Sequence, residues 1–167
     1  MTSHPGRARR STAVALPPFQ RFLDEHRDTV YRFLVVLVGR QEAEDQFQET
    51  FLAALRAYPT LRNASNLRAW VMQIAYRKAM DAHRGQRRRP EPVAEVPDRP
   101  VHTGDGSDPE VWRLVDRLPA KQREAVVLRY VGDLAYREVA GTMGGSEAAA
   151  RQNVRMGLAK LREEWSQ

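Results

Sequence analysis

The chain has 167 residues, a formal net charge of +6 and no cysteine, which excludes disulfides, thiol catalysis, Cys-ligated zinc and iron–sulfur clusters. Its four histidines (His4, His26, His83, His102) are scattered without metal-ligand spacing, and no apolar run approaches the roughly 18 residues of a membrane span. A basic chain of this size with 42% hydrophobic residues is expected to fold into one or two small domains, to stay in the cytoplasm, and to meet an anionic partner.

Residues 1–18 carry Pro5, Gly6, Pro17 and Pro18 among basic residues and read as a disordered basic tail. Phe19, Phe22, Leu23, Val30, Phe33, Leu34 and Leu37 then recur at helical spacing, predicting one face of a helix that ends near Gly39. A second helix is predicted from Gln41 to Tyr58, with Ala43, Phe47, Phe51, Ala54 and Tyr58 inward and Pro59 as its stop. Its opposite side carries Glu42, Asp45, Gln48, Glu49 and Leu52. Such a stripe fits either a solvated face or a docking surface with a small apolar centre.

A polar turn, Arg62-Asn63-Ala64-Ser65-Asn66, leads into a third predicted helix reaching about Arg84, with Leu67, Trp70, Val71, Ile74 and Ala75 inward. Residues 62–89 carry Arg62, Arg68, Arg77, Lys78, Arg84, Arg87, Arg88 and Arg89 against Asp81 alone. Amides, a hydroxyl and nearby arginines suit an unstacked base and a single-stranded backbone, though Asn and Ser are also ordinary turn residues. Trp70 fits the core better than a stacking platform.

From Gly85 to Asp108 the chain holds Pro90, Pro92, Pro97, Pro100, Gly104 and Gly106, with acids at Glu91, Glu95, Asp98, Asp105 and Asp108. That composition predicts a flexible acidic linker over 85–108 between domains at 19–84 and 109–167. Asp108-Pro109-Glu110 resembles a helix start, giving a short helix to Leu118 and, after Pro119, another through Tyr130. Gly132-Asp133 is a turn, Leu134–Met143 a short helix, Gly144-Gly145 a tight turn and Ser146 the N-cap of a last helix. Its buried stripe is expected at Ala150, Val154, Leu158, Leu161 and Trp165. The whole is read as all-α: a three-helix bundle and a four-helix unit with a helix-turn-helix, joined by the linker.

A recognition helix buries one face and offers long polar side chains from its first turns to the major groove. Here those are Ala149, Arg151, Gln152, Arg155 and Met156, with Ser146 and the helix N-terminus facing a phosphate. A plain helical hairpin with a solvated basic face is the alternative. No Walker or dinucleotide glycine pattern and no triad-like set of Ser, His and carboxylate is present, so neither enzyme activity nor a cofactor or metal is expected.

Four segments resemble one known family. Glu44-Asp45 with Gln48-Glu49-Thr50-Phe51-Leu52 is similar to region 2.2 of bacterial RNA polymerase sigma factors of the extracytoplasmic-function (ECF) group. Leu67-Arg68-Ala69-Trp70-Val71, Ile74-Ala75, Asp81 and Arg84 resemble regions 2.3 and 2.4. Leu118-Pro119-Ala120-Lys121-Gln122-Arg123-Glu124 with Val127-Leu128-Arg129-Tyr130 resembles region 4.1. Tyr136-Arg137-Glu138-Val139-Ala140, Gly144, Ser146-Glu147 and Leu161-Arg162 resemble region 4.2.

The resemblance implies an alternative sigma factor that binds core RNA polymerase, at the clamp helices and the flap of its β′ and β subunits, and reads −10 and −35 promoter DNA. It also implies an anti-sigma partner. By the same resemblance Glu42, Asp45, Gln48, Glu49 and Leu52 would face the polymerase, and Arg62, Asn63, Ser65, Asn66, Arg77, Lys78 and Arg84 the −10 strand. Ser146, Ala149, Arg151, Gln152, Arg155 and Met156 would face the −35 element. The linker would thread toward the polymerase channel. The chain departs from the family pattern at Arg77, where Asn is common, at Ala149, where Thr is frequent, and at Asn153 and Met156, which replace commonly basic residues. A stand-alone helix-turn-helix regulator is the rival reading.

Overall fold

A computed structural model describes residues 15–88 and 109–166, and seven α-helices make up most of them, with no strand among the described residues. The expected N-terminal tail up to residue 14 and the linker from residue 89 to 108 lie outside the described residues. The helices are α1 (Phe19–Val38), α2 (Arg40–Ala57), α3 (Leu67–Arg88), α4 (Pro109–Arg117), α5 (Ala120–Tyr130), α6 (Tyr136–Met143) and α7 (Glu147–Trp165). A 3-10 turn, Tyr58–Thr60, follows α2 at Pro59.

The first three helices pack on one another. The apolar spacing places Phe22, Val30, Phe33, Leu34 and Leu37 of α1, Ala43, Phe51 and Ala54 of α2, and Val71 and Ala75 of α3 in the interior. Aromatic rings fill the end of the bundle: Phe22 lies 5.2 Å from Tyr58 and 5.7 Å from Trp70, centroid to centroid. The Tyr58 hydroxyl donates to the Pro17 carbonyl at 2.7 Å, tying the chain before α1 to the end of α2. Trp70 is therefore a core residue, half-buried among rings that each bury a large apolar area.

In the C-terminal set, α7 packs on α4, α5 and α6. The turn between α6 and α7 follows the expected chemistry. Gly144 adopts φ +72 and Gly145 N–H closes onto the Ala140 carbonyl at 2.9 Å, a Schellman-type stop. Ser146 Oγ then accepts from Ala149 N–H at 3.1 Å and starts α7. Where α7 crosses α5 the side chain vanishes: a Cβ on Gly157 would stand 2.8 Å from Val126 Cγ2.

Three expectations shift. Helix α3 continues through Gly85 to Arg88, so the segment between the two helical sets starts later than composition suggested. Helix α6 begins at Tyr136 rather than Leu134, because Ala135 is extended (φ −66, ψ 154) and stands as the N-cap. Trp165 is 53% exposed, not inward; burial along that stripe falls from Ala150 and Val154 through half-buried Leu158 and Leu161 to the exposed last turn.

His26 was not foreseen as a core residue. Its ring lies 5.0 Å from Phe22 and burial lowers its pKa from the usual 6.5, with nearby Glu25 opposing and Arg68 reinforcing the shift. An imidazole with a depressed folded pKa binds its proton more tightly in the unfolded chain. The stability it permits is therefore complete above about pH 6.5 and is lost as pH falls toward the folded value. Thermal unfolding followed from pH 7.5 to 5 should show a falling midpoint, and His26→Leu should flatten that slope.

Candidate nucleic-acid interface

The residues expected on a recognition helix all reach solvent. Ser146, Ala149, Arg151, Gln152, Arg155 and Met156 are exposed on the first turns of α7, while Asn153 is half-buried. They are not idle. Arg151 Nη2 donates to Glu147 Oε1 at 2.5 Å and its Cζ lies 4.5 Å from the Tyr136 ring centroid. Arg155 Nη2 donates to Gln152 Oε1 at 2.9 Å. Ser146 uses its oxygen as the helix cap, which leaves its hydroxyl hydrogen for an acceptor such as a phosphate.

In the turn before α3, Asn63 Oδ1 accepts from Ser65 N–H at 2.9 Å, an Asx turn that holds Asn63, Ser65 and Arg62 outward and exposed. Asn66 differs from its neighbours. Its Oδ1 accepts from Ala69 N–H at 2.9 Å and caps α3, and its Nδ2 donates to Glu138 on α6. Farther along α3, Arg77 is exposed, Lys78 Nζ lies 3.6 Å from Glu49 Oε2 on α2, and Arg84 pairs with Asp81. The residues grouped for the −10 strand thus line one helix and the turn that precedes it, and Lys78 joins them to the α2 face through Glu49.

On α2, Asp45, Gln48 and Glu49 are exposed and Leu52 is 45% exposed; Glu42 is half-buried and accepts from Gln46 Nε2 at 2.7 Å. Leu55, 49% exposed, extends the same face and was missed. Its three-residue spacing from Leu52 was the available signal. A pair of bare leucines ringed by carboxylates and an amide is a small apolar centre with a polar rim.

The two helical sets also meet, which the sequence did not announce. Asn66 reaches Glu138, Arg68 pairs with Asp133, and the Tyr76 hydroxyl donates to Glu124 Oε2 at 2.8 Å. Met72 is fully buried, and its Cε would lie 3.1 Å from a Cβ on Gly132. Burial, with Glu124 as hydrogen-bond acceptor and neighbouring charge, pushes the Tyr76 phenol well above its ordinary range. Met72 and Tyr76, four apart on α3, form a second apolar row beside the Val71–Ala75 row, and that row was the sequence signal.

A helix-turn-helix with an exposed polar recognition face, preceded by a three-helix bundle with a basic third helix, defines a class of DNA-binding transcription proteins. The sequence matches Sigma-70 region 2 over residues 22–89 and Sigma-70, region 4 over residues 109–161. It is 34% identical over 153 residues to the RNA polymerase sigma factor CarQ of Myxococcus xanthus, covering 87% of each chain. To the ECF RNA polymerase sigma factor SigC of Mycobacterium tuberculosis it is 31% identical over 143 residues, covering 81% of this chain and 76% of SigC. This chain belongs to the ECF group of sigma-70 RNA polymerase sigma factors.

The chain spans about six-tenths of two further relatives, 62% of SigE from Mycolicibacterium smegmatis at 29% identity and 58% of BldN from Streptomyces coelicolor at 33%. The fold is shared with the sigma factor RpoE of Bartonella quintana, solved with the anti-sigma factor NepR (TM-score 0.73, 22% identity, 87% of this chain and 94% of that one). It is shared also with CnrH, solved with the cytosolic domain of CnrY (TM-score 0.65, 20% identity, 89% and 87%).

The contacts between the two sets differ in weight. Arg68 and Asp133 are both substantially exposed, so their coupling in a double-mutant cycle should stay below about 1 kcal/mol. Tyr76→Phe removes a half-buried donor from Glu124 and should cost about 1–2 kcal/mol in chemical denaturation.

Proposed function

We propose that this protein is an alternative sigma factor, which binds core RNA polymerase and directs initiation at promoters with defined −10 and −35 elements. The observation that carries this reading is the pairing, in one chain and in order, of a region 2 match that holds an exposed apolar-centred α2 face with a region 4 match that holds an exposed recognition helix. The region 2 match also weighs against a stand-alone regulator, for which a helix-turn-helix would suffice.

In this reading residues 19–84 act as region 2, residues 109–167 as region 4, and 85–108 as the connection between them. The α2 face of Glu42, Asp45, Gln48, Glu49 and Leu52, widened by Leu55, docks on polymerase. Arg62, Asn63 and Ser65 meet an unstacked base of the −10 strand, while Arg77, Lys78 and Arg84 follow its backbone. Asn66 has a different part: as the cap of α3 it sets the turn in place, and its amide is free for a base only once Glu138 lets go. Arg151, Gln152, Arg155, Met156 and Ala149 enter the major groove at −35, with Ser146 at a phosphate. RNA synthesis itself stays with the polymerase. An anti-sigma protein, like the NepR bound to RpoE, would compete for the same surfaces.

Run-off transcription with the cognate core polymerase and genomic fragments tests the function. Discrete RNA 5′ ends below two motifs at fixed spacing, absent without the protein, are expected. No such ends from a competent core would overturn it. Asp45→Ala with Gln48→Ala should weaken core binding by about 1–2 kcal/mol at unchanged thermal stability, read by titration with labelled core. Unchanged affinity would move the docking surface elsewhere.

A further inference from the structure

Tyr136 opens α6, the first helix of the helix-turn-helix, and none of the surfaces above includes it. Its ring is half-buried and packed against the core, so it is a fixed platform rather than a swinging side chain. Arg151, from the recognition helix, stacks on it with Cζ 4.5 Å from the ring centroid, inside the range where a guanidinium is drawn to the ring face. Glu147, one turn back on α7, accepts from Arg151 Nη2 at 2.5 Å. Arg129 also approaches the ring, at 5.1 Å, but it is only partly exposed and Nη1 donates to the Leu134 carbonyl at 3.1 Å. Of the two cations at this ring, Arg151 is the exposed one.

We propose that Tyr136 is a specificity-determining positioning residue, which holds the Arg151 guanidinium in one orientation for a base of the −35 element; the proposal rests on Arg151 being a base-reading residue. A free arginine gives up much rotamer freedom when it grips a base edge, and the same loss weighs on every base it could meet. A guanidinium stacked on a fixed ring and held at one Nη2 hydrogen by Glu147 has given up that freedom beforehand. Its remaining Nε, Nη1 and Nη2 hydrogens stay available for the two acceptors of a guanine edge. Because its position is set by Tyr136 and Glu147, a base whose acceptors do not meet the donors there is rejected rather than accommodated. The platform comes from one helix of the motif and the reader from the other, so the contact also fixes their relative register.

The test is run-off transcription by polymerase holoenzyme on promoters randomised across the −35 element, with sequencing of the transcribed templates. It compares wild type, Arg151→Ala, Tyr136→Phe, Tyr136→Leu and the Arg151→Ala/Tyr136→Leu pair, each checked for thermal midpoint. Arg151→Ala should flatten the base preference at one position. Tyr136→Leu should reduce preference at that same position by about two- to five-fold and leave the others intact. Tyr136→Phe, which keeps the ring, should match wild type, and Tyr136→Leu should add nothing in the Arg151→Ala background. A wild-type profile for Tyr136→Leu, an even loss at every position, or an additive loss in the pair would each overturn the proposal. If Arg151→Ala alone changes no position, the base-reading role of Arg151 fails first and takes the proposal with it.

Discussion

Helix α3 has to bury two different rows of side chains at once, and the placement of each surface follows from that demand. Val71 and Ala75 go into the bundle with α1 and α2, while Met72 and Tyr76 turn toward α5 and the Gly132 turn. A helix with two apolar rows has only its remaining side left for water, and on α3 that side carries Arg77 and Arg84. Packing thus keeps Arg77 and Arg84 on one exposed strip, while Arg68 is turned to Asp133 and Lys78 to Glu49 on α2.

Helix ends do the finer placing. Asn66 caps α3 and Ser146 caps α7, each through a side-chain oxygen on a backbone N–H three residues ahead. Each cap sits at the N-terminal end of a helix proposed to meet DNA, so the bonds that stop fraying also fix where the neighbouring polar side chains leave the backbone. Glu138 does similar work for α6, accepting from Ala135 N–H at 2.8 Å with one carboxylate oxygen while the other holds Asn66. One carboxylate thereby links the start of the helix-turn-helix to the turn before α3.

The exposed polar residues on α7 are already engaged: Arg151 with Glu147 and with Tyr136 of α6, Arg155 with Gln152. The Arg155–Gln152 bond is exposed and can exchange for a phosphate or base, whereas the Tyr136 ring holds Arg151 without using its N–H donors. Together they narrow the range of side-chain orientations before any partner arrives. Low-cost exchange combined with restricted geometry is the useful combination for a surface that must reject near matches.

The number of helices, their order and most of their ends were legible from residue spacing, because helix periodicity, Pro59, Gly144 and Ser146 act over a few residues and depend little on distant neighbours. The exposed side of α2, the turn at Arg62–Asn66 and the polar start of α7 were legible for the same reason, and the resemblance to sigma regions rested on such local runs. Contacts between residues far apart in the chain were not. Asn66 with Glu138, Arg68 with Asp133 and Tyr76 with Glu124 join positions separated by 48 to 72 residues, and no local pattern pairs them. Burial of His26, exposure of Trp165 and the stacking of Arg151 on Tyr136 were likewise decided only when whole helices came together. Spacing along a helix says which residues share a face; only tertiary packing says what that face meets.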